Sequence, residues 1–299
     1  MGVRAVCELF AMSSRYPISV GFSLETLARR GGYNGPHKDG WGVAYFEERD
    51  VFLLREPSPA AESDLVRFME VNGPPSNLVL SHIHLATQGE PALCNTQPFQ
   101  RELGGQAHVF AHNGDMPGVR EACCLETQRF TPVGDTDSEF AFCCLLERMG
   151  NLWDRGNGKA PSVDARLGIV AEFAASLRSL GTFNFVYADG DTLFVHAHIR
   201  KQNDGNERPP GLHLLVRSSN KQAVDLTQSG VMLAPVAQEL ALVASVPLTD
   251  DEPWEPIAPG EVIALKQGSV WARVPASHVM KDTVGSDSDH SHKPTGANW

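Results

Sequence analysis

Apolar positions fall into short, strand-like runs that alternate with helix-spaced segments from about Cys7 to about Val274. A strand is predicted over 7–12, and Ser23 can cap a short helix over 24–30 that Gly31 and Gly32 would end. Runs over 43–46 and 51–54 flank the charged stretch 47–50 as a hairpin. Two further apolar, β-rich runs lie over 78–84 and 108–111. Thr136-Asp-Ser-Glu139 matches a capping box and opens a helix carrying Phe140, Cys143, Cys144 and Leu146. A second helix starts at Ser162, with Leu167, Val170, Phe173, Ala174 and Leu177 at helical spacing. Runs over 183–188 and 193–198 flank Asp189-Gly-Asp191, a strong hairpin signal. Three or four more strands are expected, the last near 270–274, and 276–299 lacks periodicity and is expected to be disordered.

Composition narrows the partners. The chain has 299 residues, 42% hydrophobic and 20% charged, enough for a sizeable core in one or two domains. Its formal charge of −11 argues against nucleic acid and anionic membranes. Apolar runs are broken by charge well short of the roughly 20 residues of a membrane span. The N-terminus does not read as a signal peptide, and Val6 stands where a myristoylation motif wants Ser or Thr. The six cysteines form neither a disulfide framework nor a CxxC zinc motif, so a cytoplasmic location with reduced thiols is expected. Cys143 and Cys144 read as buried core thiols. Cys123 and Cys124 follow a loop and are read as partly exposed, with nothing nearby to activate them. His82 and His84, like His196 and His198, alternate along a strand, but without a third ligand at a telling spacing they read as core or loop histidines. No metal or cofactor is expected.

Gly, Asn, His and Asp concentrate at strand ends in 37–42, 81–89 and 111–114, and at a helix N-terminus in 134–139. Singly, each is an ordinary turn or cap. In order, and with a cysteine opening the first strand, the set resembles the class II glutamine amidotransferases of the N-terminal-nucleophile (Ntn) hydrolases, in particular their stand-alone branch. Cys7-Glu-Leu9, Gly35-Pro-His-Lys-Asp-Gly-Trp-Gly42, Asn95-Thr-Gln-Pro-Phe99, Ala111-His-Asn-Gly114 and Gly134-Asp-Thr-Asp-Ser-Glu139 carry the resemblance. Pro247-Leu-Thr249, Trp254 and Pro259-Gly-Glu261 extend it. It covers most of the chain and makes one domain over 7–275 the expected count, with 1–6 as an N-terminal extension.

The resemblance implies an α+β fold: a four-layer α/β/β/α sandwich of two mostly antiparallel sheets. It implies that Cys7 is an N-terminal nucleophile whose own α-amine, with a reference pKa of about 7.7–8.0, takes the thiol proton. The Asn113 amide and the Gly114 N–H would form the oxyanion hole, and Asp137 would hold the substrate α-ammonium, alongside its rival role at the helix N-terminus. Thr87 and Trp41 would belong to the substrate pocket. The substrate would be glutamine or a γ-glutamyl compound, and an ammonia acceptor, if any, would be a separate synthase chain.

Two departures stand out. Cys7 follows six residues, so its amine is free only if these are cut off or translation begins at Val6, where a GTG start codon would be printed as Val. His84 stands where the family carries the arginine that grips the substrate α-carboxylate. Histidine lacks the bidentate fork and loses its charge near pH ~6.5. That leaves open unchanged glutamine hydrolysis, altered or weaker γ-glutamyl recognition, or an intact fold without activity serving as a binding or scaffold module.

Overall fold

The computed structural model describes residues 8–22, 40–60, 63–83, 91–123, 125, 129–156, 159–202, 204–218, 231–233 and 238–277. The first half of the described chain runs β1 (Glu8–Phe22), β2 (Trp41–Glu47), β3 (Asp50–Glu56), α1 (Asp64–Asn72), β4 (Pro75–Ile83), β5 (Phe99–Leu103) and β6 (Gln106–Asp115). Three helices follow: the single turn α2 (Val119–Ala122), then α3 (Asp137–Asp154) and α4 (Val163–Leu177). The remaining strands are β7 (Thr182–Ala188), β8 (Leu193–His196), β9 (Arg200–Lys201), β10 (Glu207–Arg208), β11 (His213–Arg217), β12 (Val231–Leu233), β13 (Leu240–Ala244), β14 (Glu255–Pro256), β15 (Val262–Lys266) and β16 (Ser269–Val274).

Two antiparallel sheets dominate. One has the order β14-β11-β13-β1-β4-β2-β3, with β12 also on β1; the other runs β16-β15-β8-β7-β6-β5. Strand alternation sorts side chains into layers. Leu9 and Ala11 of β1 face Val109 and Ala111 of β6 and Val186 of β7 in a core between the sheets. Phe10 and Met12 point the other way, into a core with Val66 and Met69 of α1. Phe110, Phe183 and Phe185 turn outward under α3 and α4, where Phe110 stacks on Phe142 at 5.4 Å. The order is helix, sheet, sheet, helices: the expected four-layer sandwich.

The hairpin of β2 and β3, the helix starts at Thr136 and Ser162, and the hairpin turn at 189–191 lie where the pattern placed them. Four differences have physical causes. β1 runs on to Phe22, because a register break between Ser13 and Ile18 accommodates Pro17, which has no N–H to give a ladder. Gln238 braces that break, accepting from Tyr16 N at 2.6 Å and donating to Tyr16 O at 3.1 Å. Helix α1 and strand β5 were not anticipated; α1 is capped by Ser63, whose hydroxyl accepts from Val66 N at 3.1 Å. After β8 come more strands than expected, several of them two-residue bridges that only tertiary pairing creates. The capping box is half made. The Thr136 hydroxyl accepts from Glu139 N at 3.2 Å, but Glu139 turns to Val133 N, Gly134 N and Arg101 instead of back to the cap. The helix proposed over 24–30 and the tail beyond 277 lie outside the described residues. Among the described residues no helix is long and apolar enough to cross a membrane.

Candidate active site

Asn113 and Gly114 end the buried part of β6, paired with Asn184 and Phe183 of β7. Gly114 has φ +151°, and a Cβ there would stand 1.7 Å from Thr182 O, so only glycine fits this close approach. The Asn113 backbone is held by Asn184, whose Nδ2 donates to Asn113 O at 3.2 Å and to Ile199 O at 2.8 Å. The Asn113 amide reaches across to the other sheet, where its Nδ2 donates to Ser245 Oγ at 3.3 Å. The same hydroxyl accepts from Leu9 N at 3.0 Å.

Cys7, His84 and Thr87 lie outside the described residues, as do residues 35–39 of the first glycine-rich motif. Their described chain neighbours mark the location: Glu8 on β1 and Ile83 on β4 are register partners, and Ile83 also pairs with Trp41 on β2. Glu8 is buried, and burial raises its pKa to about 7 against the opposing pull of Arg200 and a hydrogen bond from Ser245. Arg200 Nη1 stands 3.8 Å from Glu8 Oε1. Trp41 sits in the core on the outer face of its sheet, its indole N–H donating to Glu56 Oε2 at 3.1 Å.

A second group holds the loop that follows β6. Asp137, the first residue of α3, accepts from Met116 N at 2.8 Å on one oxygen and from Ser138 N at 2.7 Å on the other. Ser138 Oγ lies 3.1 Å from that second oxygen and 2.9 Å from Nδ1 of His112. Burial holds His112 neutral by lowering its pKa, and its Nε2 lies 3.2 Å from Thr182 O, where it can donate. Gln97 clamps the His112 backbone from both sides, accepting from its N–H at 2.6 Å and donating to its carbonyl at 3.1 Å. The motifs 95–99, 111–114 and 134–139 thus converge, with Asn95 Oδ1 accepting from Asp135 N at 3.0 Å. Gly134 is glycine because a Cβ there would stand 2.2 Å from that Asn95 oxygen.

The C-terminal motifs do a structural job. Trp254 Nε1 donates to Thr249 Oγ1 at 3.0 Å, Thr249 to Glu252 at 2.9 Å, and Arg217 Nε to Glu252 at 2.7 Å. Gly260, at φ +85°, donates from its N–H to Ala197 O at 2.7 Å. Ser245, Arg200 and Asn184 were not singled out from the sequence. Ser245 stands two residues before Pro247 and was the nearest to legible; nothing local marks the other two.

Cysteine and histidine readings are corrected or refined. Cys143 and Cys144 are buried as expected, but Cys123 is buried too, packed in the core with α3 rather than partly exposed. A hydrogen bond from Cys144, then the nearby Arg148, bring the Cys123 thiol down to about 7 against the opposing effect of burial. His82 and His196 are core residues, and burial lowers His196 to about 3. Among the described residues no three His, Cys, Asp or Glu side chains gather in a way that could hold a metal.

Comparison with known proteins identifies the family and the fold. The profile of the class II glutamine amidotransferases matches residues 6–289. The chain is 34% identical to YafJ of Escherichia coli (strain K12) over 86% of its own length and 96% of that protein. It superposes on the crystal structure of a predicted glutamine amidotransferase from Pseudomonas aeruginosa with a TM-score of 0.64 and 32% identity, covering 89% of this chain and all of the other. Glutamine phosphoribosylpyrophosphate amidotransferase of B. subtilis shares the fold at a TM-score of 0.55 and 15% identity, with 90% of this chain covering 49% of that one. Built on the Ntn-type sandwich, with an asparagine and a glycine closing β6 beside the start of β1, this chain belongs to the class II glutamine amidotransferase family.

Proposed function

We propose that this protein is an amidohydrolase acting on the side-chain amide of glutamine or a γ-glutamyl compound, with Cys7 as nucleophile in a single domain over 7–275. The observation that carries this reading is the meeting of two sheets at one end. Asn113 and Gly114 close β6 there, and Asn113 is bonded through Ser245 to β1 at the residues that directly follow Cys7. The Cys7 thiol passes its proton to its own α-amine, and the thiolate adds to the amide carbon. The charge that develops on the amide oxygen is met by the Asn113 Nδ2–H and Gly114 N–H; one such donor can contribute about 2.7–4 kcal/mol to the transition state. Ammonia, or the amine of a γ-glutamyl compound, departs with the proton, leaving a thioester. Water then splits the thioester, releasing the γ-carboxylate and restoring the thiol. Asp137 accepts two backbone hydrogen bonds, of about four a carboxylate can take, so it can steady the loop and receive a substrate ammonium together. His84 takes the α-carboxylate and Thr87 completes the pocket wall, while Trp41, buried on the outer face of its sheet, packs beneath it. Ammonia transfer to an acceptor would need a separate chain.

The scheme requires the Cys7 amine, hence a mature chain without residues 1–6. Intact-mass measurement of native protein, followed by reaction with an electrophilic glutamine analogue and an ammonia-release assay, tests it. The expected results are a chain starting at Cys7, stoichiometric label on that residue and release of ammonia from glutamine, or of the free amine from a γ-glutamyl peptide. A native chain that keeps residues 1–6 overturns the mechanism. A chain starting at Cys7 that neither labels nor releases ammonia points to a binding or scaffold module.

A further inference from the structure

His112, Ser138 and Asp137 form a short polar chain whose direction is dictated by two backbone groups. A carbonyl can only accept, so the 3.2 Å contact between His112 Nε2 and Thr182 O needs the ring proton on Nε2. The ring is buried, and its nitrogens bond Ser138 and Thr182, neither of them a carboxylate. Burial keeps it neutral against the pull of Asp137 and Asp115, so Nε2 carries its one proton and Nδ1 is an acceptor. Ser138 Oγ, 2.9 Å from Nδ1, must therefore donate to it. Gln97 agrees from another side. Its Oε1 accepts from the His112 N–H at 2.6 Å, which fixes the amide and turns Nε2 toward His112 O at 3.1 Å and Ser138 Oγ at 3.5 Å. The amide thus faces the lone pairs of the hydroxyl and not its proton. A hydroxyl has one proton, and once given to His112 it is not available to Asp137 Oδ1, 3.1 Å from Ser138 Oγ. Asp137 accepts instead from two backbone groups, Met116 N at 2.8 Å and Ser138 N at 2.7 Å.

We propose that His112 and Ser138 are positioning residues for the substrate ammonium: the imidazole holds the Ser138 hydroxyl proton away from Asp137, so the carboxylate keeps acceptor sites open. This inference deepens the proposed role of Asp137 and rests on it. With the ring proton on Nδ1 instead, the hydroxyl proton would turn to Asp137, fill a third acceptor site and compete with the ammonium. The anchor of the chain is set by the fold. Thr182 opens β7, which pairs with β6 along the ladder that carries His112, Asn113 and Gly114. One histidine therefore couples the strand of the proposed oxyanion donors to the carboxylate that opens α3.

The test is a double-mutant cycle in protein that starts at residue 7. It is read as KM and kcat for hydrolysis, and as the Kd of glutamine or a γ-glutamyl dipeptide by calorimetry on a Cys7→Ala background. In His112→Gln the side-chain amide can still donate to Thr182 O but offers Ser138 no imidazole nitrogen, so the hydroxyl turns to Asp137. KM and Kd are expected to rise by about three- to tenfold, with kcat changed less than about twofold. Adding Ser138→Ala removes the misplaced proton and is expected to return both constants to within about twofold of wild type, where Ser138→Ala alone leaves them. A histidine of merely structural importance would give losses that add. In wild type, ¹⁵N NMR of the His112 ring, assigned with His112→Gln, is expected to find the proton on Nε2 and none on Nδ1. A proton on Nδ1, or a double variant no better than His112→Gln, would overturn the proposal. Should His112→Gln fail to fold, the ring proton and Ser138→Ala decide: a Kd lowered by Ser138→Ala means that the hydroxyl was donating to Asp137, and overturns it. Wild type starting at Cys7 that neither hydrolyses nor labels defeats the proposed activity, while Kd and the ring proton still judge this inference. A Cys7→Ala protein that binds neither ligand defeats the role of Asp137 and the inference with it.

Discussion

Two buried ion pairs among the described residues are built differently. Arg166 of α4 is almost fully enclosed and donates from Nη1 to Asp189 at 2.5 Å and to Asp191 at 3.0 Å, both in the turn that joins β7 to β8. Its guanidinium lies over the rings of Trp153 and Phe194, which ties α3 and the sheet to the same cation. Lys266 of β15 closes the cluster on Asp191 at 2.7 Å. Glu8 and Arg200 are as deeply buried, yet they stop at 3.8 Å with no hydrogen bond between them. The first pair is a pin, its charges joined by direct bonds. The second leaves its carboxyl titratable near neutrality, beside the residue proposed to do the chemistry. Burial raises both carboxyls, Asp189 to about 6 and Glu8 to about 7, and the direct bonds from Arg166 keep Asp189 the lower of the two.

Breaking the pin has the largest expected effect. Arg166→Leu strands Asp189 in the core and is expected to cost about 3–5 kcal/mol, read as a lower denaturation midpoint. A wild-type-like midpoint would remove the contrast. The looser pair is sharpened by Glu8→Gln measured against pH. The folded-state pKa of Glu8 is raised from 4.5 to about 7, so its stability contribution is complete below pH 4.5 and is lost as pH rises through about 7. The difference in unfolding free energy, variant minus wild type, is therefore expected to climb by about 3 kcal/mol between pH 4.5 and pH 8, visible in urea titrations across that range. A flat difference curve would mean that folding leaves the Glu8 pKa where it is in the unfolded chain. The smallest effect belongs to the outer arm of the pin. Lys266 and Asp191 are 25% and 44% exposed, so Lys266→Gln is expected to cost less than about 1 kcal/mol by the same titration at low salt.

Both pairs show how far local pattern reaches. Asp189-Gly-Asp191 is legible as a turn from the sequence, and Gly190 does adopt φ +95° there. That its carboxylates serve Arg166 is not legible, because the cation is 23 positions away on the opposite face of a helix–strand connection. Thr136 is readable as a cap because capping depends on three neighbouring residues, while the destination of the Glu139 side chain depends on where Arg101 of β5 arrives. Cys123 was misread for a like reason: a residue after a loop looks exposed until α3 is laid over it. At the candidate site, Asn113 and Gly114 are recoverable as a motif, but Ser245 meets Leu9 across 236 positions. No periodicity or spacing encodes such a contact.

By itself, the sequence determined the main strand runs, the two long helices with their caps, the hairpin turns, and the family motifs that name Cys7, Asn113 and Asp137 as candidates. These follow from backbone sterics, local hydrogen bonding and the period of apolar positions, which act over a few residues. Only the tertiary structure decided which motifs meet, that Gln97 clamps His112 and that Gly114 must be glycine against Thr182. It alone decided that a buried glutamate, a serine and an arginine from β1, the end of β13 and β9 stand behind the asparagine. Those contacts exist because two sheets pack face to face and bring distant strand ends together, where burial turns ordinary polar residues into groups whose every hydrogen bond has consequences.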